Sequence, residues 1–248
     1  MARMHAALLA LTLALSAGQT RTPVLVELFT SEACDNCPRQ EEALARLAQA
    51  QPLERVEVIP LSFHMDVYDE LGWKDRFGSA ESTRRHRRYN AALSHGNLFA
   101  PHMVVDGERS FLASEEAARL HVEGSGKRRK QPLKLTVRTE KDALVLRVDL
   151  EQKPPKDVEV WAALAEDGLS TKVTAGPNKG RTLAHTAVVR TWQVLPEPRP
   201  EGTGFRTEAR LKLAPGWKRE RLRVVVAVQK PWGGRVEALA TAAPGSKP

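Results

Sequence analysis

The sequence predicts an α/β domain followed by an all-β domain of the sandwich type. Apolar runs and amphipathic helices alternate over residues 19–123, whereas regularly spaced strands dominate residues 132–243. The charge changes at the same boundary. Residues 19–123 carry 12 Lys and Arg against 17 Asp and Glu, and residues 124–248 carry 25 against 13. A chain of 248 residues is long enough for two such units.

The first 18 residues are typical of a signal peptide. An apolar stretch from Ala6 to Ala17 follows Arg3, and small residues surround Ala17. A dozen residues is too short to cross a bilayer, which takes about 20. We therefore expect a secreted or periplasmic protein with no transmembrane segment after cleavage. Disulfide chemistry is permitted in those compartments.

The first domain is predicted from short β-forming runs and from apolar residues at helical spacing. A strand is expected wherever a run is apolar on both faces, and a helix where acidic residues precede an apolar stripe. The predicted order is strand 24–29, helix 40–50, strand 56–63, a helical or irregular stretch 66–98, strands 103–105 and 110–112 around an Asp106-Gly107 turn, and helix 114–122.

The second domain is predicted to follow an exposed basic linker at residues 124–131. Glycine, serine and four successive cations make this stretch unlike its neighbours. Alternating apolar and polar residues then predict strands, and a short tail ends the chain at 244–248. The predicted strands are 133–137, 144–148, 158–162, 186–194, 205–213, 222–228 and 236–240.

The two cysteines form the motif Cys34-Asp35-Asn36-Cys37 between a predicted strand and a predicted helix. Free backbone N–H groups at a helix N-terminus stabilise a thiolate, so this placement favours redox chemistry. We expect Cys34 to be exposed and to attack, and Cys37 to resolve the mixed disulfide. The negative charge of Asp35 opposes the effect of the helix.

Two other uses of the cysteines stay open. Exported proteins also use disulfides as structural cross-links. Two thiolates can instead bind a metal with a histidine, although two cysteines cannot form a four-thiolate zinc site. The further candidate ligands are His64, Met65, His86, His95 and His102.

Four stretches of the sequence resemble the DUF1223 family. They are VELFTSEACDNCP at 26–38, FHMDVYD at 63–69 with LGWKD at 71–75, PHMVVDG at 101–107, and GPNKGRTL at 176–183. The family comprises secreted bacterial proteins of unknown function and is placed in the thioredoxin-like superfamily. The resemblance spans roughly residues 24–240. It implies that the first domain is thioredoxin-like, and it brings no assigned substrate.

The resemblance also implies roles for individual residues. Pro101 is expected to form a cis peptide bond opposite the dithiol. Ala100 replaces a threonine that is common in the family, and it lacks the side-chain hydrogen bond that tunes the dithiol. Thioredoxin-like proteins often keep a buried acid near the resolving cysteine. Glu27 is the candidate proton acceptor for Cys37, and the alternative is that Glu27 caps a strand end or pairs with an arginine.

Three more polar or aromatic residues are candidates for substrate contact. His64 and Asp66 end the second strand, on the side where open α/β sheets place their sites, and Trp73 follows. Each has an alternative as a structural residue. The run Arg84–Arg88 could bind an anionic partner or offset the surrounding acids, and such a run usually forms a solvated face. The basic linker resembles a nucleic-acid-binding tract, but the signal segment argues against such a partner.

Together these observations predict an exported thiol–disulfide oxidoreductase. Its partners would be protein or small-molecule thiols and disulfides, and it would need no dissociable cofactor. Two rival functions remain. One is a non-catalytic envelope binding protein whose disulfide is structural. The other is a copper-handling thioredoxin relative that uses Cys34, Cys37 and His64.

Overall fold

The computed structural model describes residues 21–245, apart from 94, 95, 113 and 232. The predicted signal peptide and the candidate ligand His95 lie outside the described residues. The helices are α1 (Cys37–Ala50), α2 (Ala80–Ala92) and α3 (Glu115–Gly126), with 3₁₀ turns at Asp66–Leu71 and Arg219–Arg221. The strands are β1 (Thr22–Thr30), β2 (Val56–His64), β3 (His102–Val105), β4 (Arg109–Leu112), β5 (Leu133–Thr139), β6 (Ala143–Leu150), β7 (Glu159–Glu166), β8 (Leu169–Lys172), β9 (Thr182–His185), β10 (Val188–Val194), β11 (Arg199–Glu201), β12 (Gly204–Lys212), β13 (Leu222–Gln229) and β14 (Val236–Ala242).

The first part of the chain follows the predicted order β-α-β-α-β-β-α. Strand β1 is parallel to β2 and antiparallel to β3, which pairs with β4. Successive side chains of β1 point to opposite faces of the sheet. Val24, Val26 and Leu28 pack towards α1 and α3. Leu25 and Phe29 pack on the other face, towards α2. Both faces are covered, which explains why this strand is a continuous apolar run.

One eight-stranded mixed sheet runs through both halves of the sequence. Its strand order is β14-β13-β7-β10-β2-β1-β3-β4. The halves join where β10 lies parallel to β2 at Val188 and Ser62, and Ser62 donates a hydrogen bond from its N–H to the Ala187 carbonyl (2.9 Å). The sequence predicted two separate units with a boundary near residue 124. Strand pairing instead continues between them, because β10 uses the free edge of β2.

The remaining strands form two smaller antiparallel sheets. The sheet β11-β12-β6-β5 packs face to face on the C-terminal part of the long sheet, around a second apolar core. The hairpin β8–β9 stands apart from both and lies next to α1. This hairpin was not predicted, because its two strands have four residues each and little apolar alternation.

The basic stretch predicted as an exposed linker is exposed at Lys127, Arg128 and Arg129, but it is anchored to the body of the protein at its two ends. Helix α3 continues to Gly126, so the stretch begins inside a helix. Lys130 is buried and forms an ion pair with Asp106 (2.7 Å). Gln131 then donates its backbone N–H to Glu237 of β14 (2.7 Å). The carboxylate of Asp106 thus binds the ammonium group of Lys130, which the composition of this stretch alone would place in solvent. None of the helices in the described residues is long and apolar enough to cross a membrane.

Candidate functional site around the Cys34–Cys37 disulfide

Cys34 and Cys37 are joined by a disulfide in the turn between β1 and α1. The backbone N–H of Cys34 donates to Ser31 (3.1 Å), and that of Cys37 donates to Cys34 (3.3 Å). Pro38 lies in the first turn of α1, where its missing N–H costs no intrahelical hydrogen bond. This local chemistry places both sulfurs at the N-terminus of a 14-residue helix.

The disulfide is more enclosed than the sequence suggested. Cys37 is fully buried, and Cys34 is only 6% exposed, so the expectation of an exposed Cys34 was wrong. Exposure at the turn comes instead from Asp35 and Asn36, whose side chains face solvent. Cys34 is nevertheless the more accessible of the two sulfur-bearing residues.

A loop from the second half of the chain lies on the cysteine turn. The fully buried Asn178 donates from Nδ2 to the carbonyl oxygens of Glu32 and Cys34, both at 2.9 Å. Gly176, with a φ of +68°, lets the loop approach Trp73, since a Cβ added there would lie 2.9 Å from that of Trp73. This cysteine-covering loop, residues 174–181, links the two halves of the sequence at the site.

Pro101 is at the same end of β1 as the cysteine turn. The pairing of Phe29 with His102 puts Pro101 next to the point where the chain leaves β1. The Ala100–Pro101 peptide bond is cis, which confirms the expectation from the resemblance. Ala100 is half-buried and packs against the apolar core on the α2 side of the sheet.

Glu27 forms the ion pair that was the alternative to its proton-acceptor role. It is fully buried on the α2 face and accepts a hydrogen bond from Arg85 Nε (2.6 Å) and another from the Tyr89 hydroxyl. Helix α1, which begins with Cys37, covers the opposite face of β1. The alternation of side chains along a strand therefore directs Glu27 away from the helix that carries Cys37.

The run Arg84–Arg88 is not a uniformly solvated face. Arg84 and Arg87 are exposed, but Arg85 is buried between Glu27 and a set of aromatic rings. Its guanidinium lies 4.6 Å from the Trp161 ring and 5.0 Å from the Trp192 ring. Burial opposes the charge of Arg85, yet Glu27 raises its pKa above the ordinary value. A helix places every third or fourth residue on one face, so one arginine of the run points inward.

His64 lies in a buried polar cluster and not on an open surface. It is fully buried, and its Nδ1 is 2.7 Å from Asp75 Oδ2. Asp75 also accepts hydrogen bonds from the backbone N–H groups of Glu32 and Phe77, both at 2.8 Å. The residue predicted to contact substrate is therefore fixed behind the cysteine turn.

His185 of the β8–β9 hairpin is the second histidine of this cluster. Its Nδ1 is 2.6 Å from Glu41 Oε2, and its Nε2 is 3.2 Å from Glu32 Oε1. Glu41 also accepts a hydrogen bond from the Thr30 hydroxyl (2.8 Å). Trp73 joins the cluster by donating from Nε1 to Glu32 Oε2 (2.8 Å). We refer to Glu32, Glu41, His64, Asp75 and His185 as the buried histidine–carboxylate cluster.

Within the cluster, the pKa of His185 is raised, and the pKa values of Glu32 and Asp75 are lowered. Burial alone would lower the pKa of His185, but hydrogen bonds and charges from Glu32 and Glu41 raise it from 6.5 to about 9. Burial, and to a smaller extent the charge of Asp75, oppose ionisation of Glu32, but the hydrogen bonds from His185, Thr171 and Trp73 together outweigh them, so the pKa is lowered. Asp75 behaves similarly, because the charge and hydrogen bond of His64 lower its pKa despite burial.

The other sequence candidates lie elsewhere. Asp66 is half-buried in a 3₁₀ turn and accepts a hydrogen bond from Thr83 of α2 (2.6 Å). His86 and His102 contact each other, with 2.6 Å between Nε2 and Nδ1. Met65 is fully buried in the apolar core. Of the metal candidates, His64 alone among these described residues belongs to the cluster.

The sequence reasoning missed Glu32, Glu41, Asp75 and His185. Glu41 could have been predicted to lie near the cysteines, because it follows Cys37 by four residues on α1 and so lies on the same face of the helix. Glu32 and Asp75 fall inside the motifs quoted above. His185 gave no signal, since it meets Glu41 across 144 residues of chain.

Comparisons with known proteins are consistent with this fold. The solved structure of protein AGR_C_4864 from Agrobacterium tumefaciens is 20% identical and has a TM-score of 0.65, covering 93% of this chain and 97% of that one. Likeness at this identity concerns the fold alone. A β-glucosidase from Kluyveromyces marxianus in complex with glucose is 10% identical, covering 64% of this chain and 16% of that one, and its TM-score of 0.21 carries no argument.

No curated protein matches the sequence. A family model described as "Protein of unknown function (DUF1223)" matches residues 25–229. This match includes the cysteine turn, Pro101, the cysteine-covering loop and every member of the buried histidine–carboxylate cluster. Because it covers most of the described fold, the chain belongs to the DUF1223 family.

Proposed function

We propose that the protein is an exported thiol–disulfide oxidoreductase that works through Cys34 and Cys37. The observation that carries the proposal is the disulfide at the junction of β1 and α1, with Pro101 at the same end of β1. The order β-α-β-α-β-β-α of the first 126 residues supports a thioredoxin-like arrangement of this part of the chain. The apolar segment at residues 6–17 supports export to the periplasm or beyond.

The reaction exchanges one disulfide for another without a cofactor. In the reduced protein, the Cys34 thiolate attacks one sulfur of a substrate disulfide and displaces the other as a thiolate, which takes a proton from water. The Cys37 thiolate then attacks Cys34 Sγ, which re-forms the Cys34–Cys37 disulfide and releases the second substrate thiol. The protein loses two electrons and the substrate gains them. The reverse sequence oxidises a substrate dithiol.

The residues around the cysteines contribute position and charge to this scheme. The N-terminal N–H groups of α1 favour the thiolate, and exposed Asp35 opposes it. Since Glu27 is engaged by Arg85, water takes the Cys37 proton. Asn178 holds the carbonyl of Cys34 and so fixes the turn that presents the sulfurs. We expect substrate to displace or pass the cysteine-covering loop to reach Cys34.

A structural disulfide is the second candidate, and the burial of Cys34 favours it. A cross-link that is 6% exposed on one cysteine and fully buried on the other is protected from exchange. In that case the protein would be a non-catalytic binding protein. Its disulfide would fix the β1–α1 turn beneath the cysteine-covering loop.

A redox titration with thiol trapping, combined with a disulfide-reduction assay, tests the proposal. We expect a reduction potential above about −300 mV, the range of exchangeable disulfides. Cys34→Ser should abolish reduction of a model disulfide. Cys37→Ser, the matched control, should instead accumulate a mixed disulfide at Cys34. A potential below about −300 mV together with no exchange by the wild type would establish the structural role.

A further inference from the structure

Three side chains behind the cysteine turn have the arrangement of a metal site. Ligand atoms of Glu41, His64 and His185 all lie within 4.8 Å of one another, and all three residues are buried. They come from α1, β2 and β9, so the fold brings them together from three separate elements. Because all three side chains are buried, they are not hydrated by bulk solvent as a cluster of surface carboxylates would be.

An unpartnered polar atom points to something that the cluster binds. Within the described part of the chain, His64 Nε2 is buried and has no hydrogen-bond partner. Buried polar atoms are nearly always satisfied, so this imidazole nitrogen calls for an occupant. His185 Nε2 and Glu32 Oε1 are also buried, but they form an ion pair with 3.2 Å between them.

The second nitrogen of each imidazole is already held. His64 Nδ1 faces Asp75 at 2.7 Å, and His185 Nε2 faces Glu32 at 3.2 Å, which leaves His185 Nδ1 beside the ligand Glu41 at 2.6 Å. Carboxylates that orient imidazoles in this way are the usual outer shell of metal-binding histidines. Asp75 fixes the ring of His64 so that Nε2 is the nitrogen left to bind. Two ligands of a tetrahedral ion lie about 3.3 Å apart, so the contact between His185 and Glu41 opens slightly on binding.

The charge of the cluster also favours a cation. It contains three carboxylates, Glu32, Glu41 and Asp75, against two imidazoles. The sum of these five charges is negative even with both imidazoles protonated. Buried charge without compensation is costly, and a divalent cation offsets it.

We propose that Glu41, His64 and His185 bind a divalent first-row transition-metal ion, with Zn²⁺ as the reference case. Two imidazoles and a carboxylate suit Zn²⁺, Co²⁺ and Fe²⁺, whereas Mg²⁺ and Ca²⁺ take oxygen ligands. The site exists while the disulfide is closed and does not depend on thiol exchange. It differs from a copper site at the cysteines, because Cys34 and Cys37 are not among its ligands.

Metal titration of the oxidised, chelator-stripped protein tests the proposal. Calorimetry should show one Zn²⁺ bound per chain and no response to Mg²⁺ or Ca²⁺. Co²⁺ should give the visible d–d absorption of a low-coordination site without a thiolate charge-transfer band. Absence of Zn²⁺ binding by the wild type would overturn the proposal, as would a thiolate band, which would assign the metal to the cysteines.

Variants locate the site. His185→Gln and Glu41→Gln should each weaken Zn²⁺ binding more than 100-fold. Asp75→Asn, which alters only the outer shell, should weaken it about 10–100-fold. His121→Gln is the matched control, because His121 lies in α3 outside the cluster. Equal affinity in all four variants would overturn the proposal.

Because ligand variants can lose their fold, X-ray absorption of the wild-type Zn²⁺ complex provides an independent test. It should show only nitrogen and oxygen ligands at about 2.0–2.2 Å.

The redox proposal and the metal proposal can fail separately. Thiol exchange is assayed in the metal-free protein, and metal binding is assayed with the disulfide closed. Exchange without Zn²⁺ binding would overturn the metal site alone, and Zn²⁺ binding without exchange would overturn the oxidoreductase alone.

Discussion

Arg85 shows how one residue of a charge run can become a central part of the core. It is held by Glu27, the Tyr89 hydroxyl (3.2 Å) and Gln229 (3.2 Å). Gln229 accepts a further hydrogen bond from Trp161 (2.8 Å). These contacts connect α2, β1, β7 and β13, so residues from both halves of the chain meet at one guanidinium.

Removing this guanidinium should be strongly destabilising. Arg85→Ala leaves the carboxylate of Glu27 buried and unpaired, so we expect the free energy of unfolding to fall by about 3–5 kcal/mol. Urea denaturation measures the change. Arg87→Ala, on the exposed side of the same helix, is the control and should stay within about 0.5 kcal/mol of wild type. Similar losses in the two variants would contradict the assignment of Arg85 to the core.

The pKa of His185 predicts a loss of stability at alkaline pH in the metal-free protein. The pKa is raised from 6.5 to about 9, so the folded state binds the proton more tightly than the unfolded state. The resulting stabilisation is complete below about pH 6.5 and is lost as the pH rises to about 9. Its size is on the order of 3 kcal/mol.

Chelator-treated protein tests this by urea denaturation at several pH values. The groups facing His185 are Glu32 and Glu41, with His64 and Asp75 behind them. The stability difference between wild type and His185→Gln should shrink from pH 6.5 to pH 9, because the variant lacks the titrating imidazole. A difference that is constant over this range would show that His185 carries no shifted proton.

At the residue scale, the sequence indicated the cysteines, Pro101 and His64 but not their surroundings. Cys34 and Cys37 are three residues apart along the chain, so local spacing is sufficient to find them. Glu27 was placed in two alternative roles, and only the register of β1 decides which face it occupies. His185 depends on a contact across 144 residues, which leaves no local pattern to read.

At the element scale, the cysteine-covering loop holds the backbone of the cysteine turn. Its contact with the cysteine turn rests on the two hydrogen bonds from Asn178. Hydrogen bonds of this kind contribute about 0.5–1.5 kcal/mol each, so the loop can open without unfolding the protein. We therefore expect opening of the loop to govern how fast an external thiol reaches Cys34.

Asn178→Ala should accelerate reduction of the disulfide. Loss of both hydrogen bonds, about 1–3 kcal/mol in total, corresponds to roughly 5–150-fold more frequent opening of the loop. The rate of reduction by dithiothreitol, followed by thiol labelling, measures this. Lys179→Ala alters an exposed neighbour in the same loop and should reduce at the wild-type rate. If the two variants react equally fast, the loop does not limit access.

The elements themselves were largely predictable, and their ends were less so. Helix α1 begins at Cys37, earlier than the predicted residue 40, because Pro38 is compatible with a first helical turn. Ser79 and Ser114 each accept a hydrogen bond from a helix N–H and start α2 and α3, and only Ser114 was anticipated. The short hairpin β8–β9 lacked the periodicity on which strand prediction depends.

At the scale of the whole molecule, the long sheet makes the two halves interdependent. The apolar core under α2 contains Phe63 and Tyr89 from the first half and Trp161 and Val225 from the second. The change in charge near residue 124 is real, but it marks no gap in the packing. Composition describes surfaces well, whereas strand pairing between distant segments has to be seen in three dimensions.

Unfolding of the full chain should therefore be a single cooperative transition. Far-ultraviolet circular dichroism reports on both halves, and the tryptophan fluorescence includes Trp161 and Trp192 in the core at their junction. The two signals should give coincident urea curves. Two resolved transitions would contradict this expectation and would support the two separate domains that the sequence predicted.

The distance along the chain between the cysteines and their cover sets an order of events during biosynthesis. The cysteines are three residues apart and emerge from the ribosome together, whereas Asn178 follows Cys34 by 144 residues. Under the proposed export, a chain that crosses the membrane unfolded and N-terminus first presents both thiols to an oxidising compartment before their cover arrives. The disulfide can therefore be installed in the nascent chain, and the last third of synthesis then encloses a bond that has already formed.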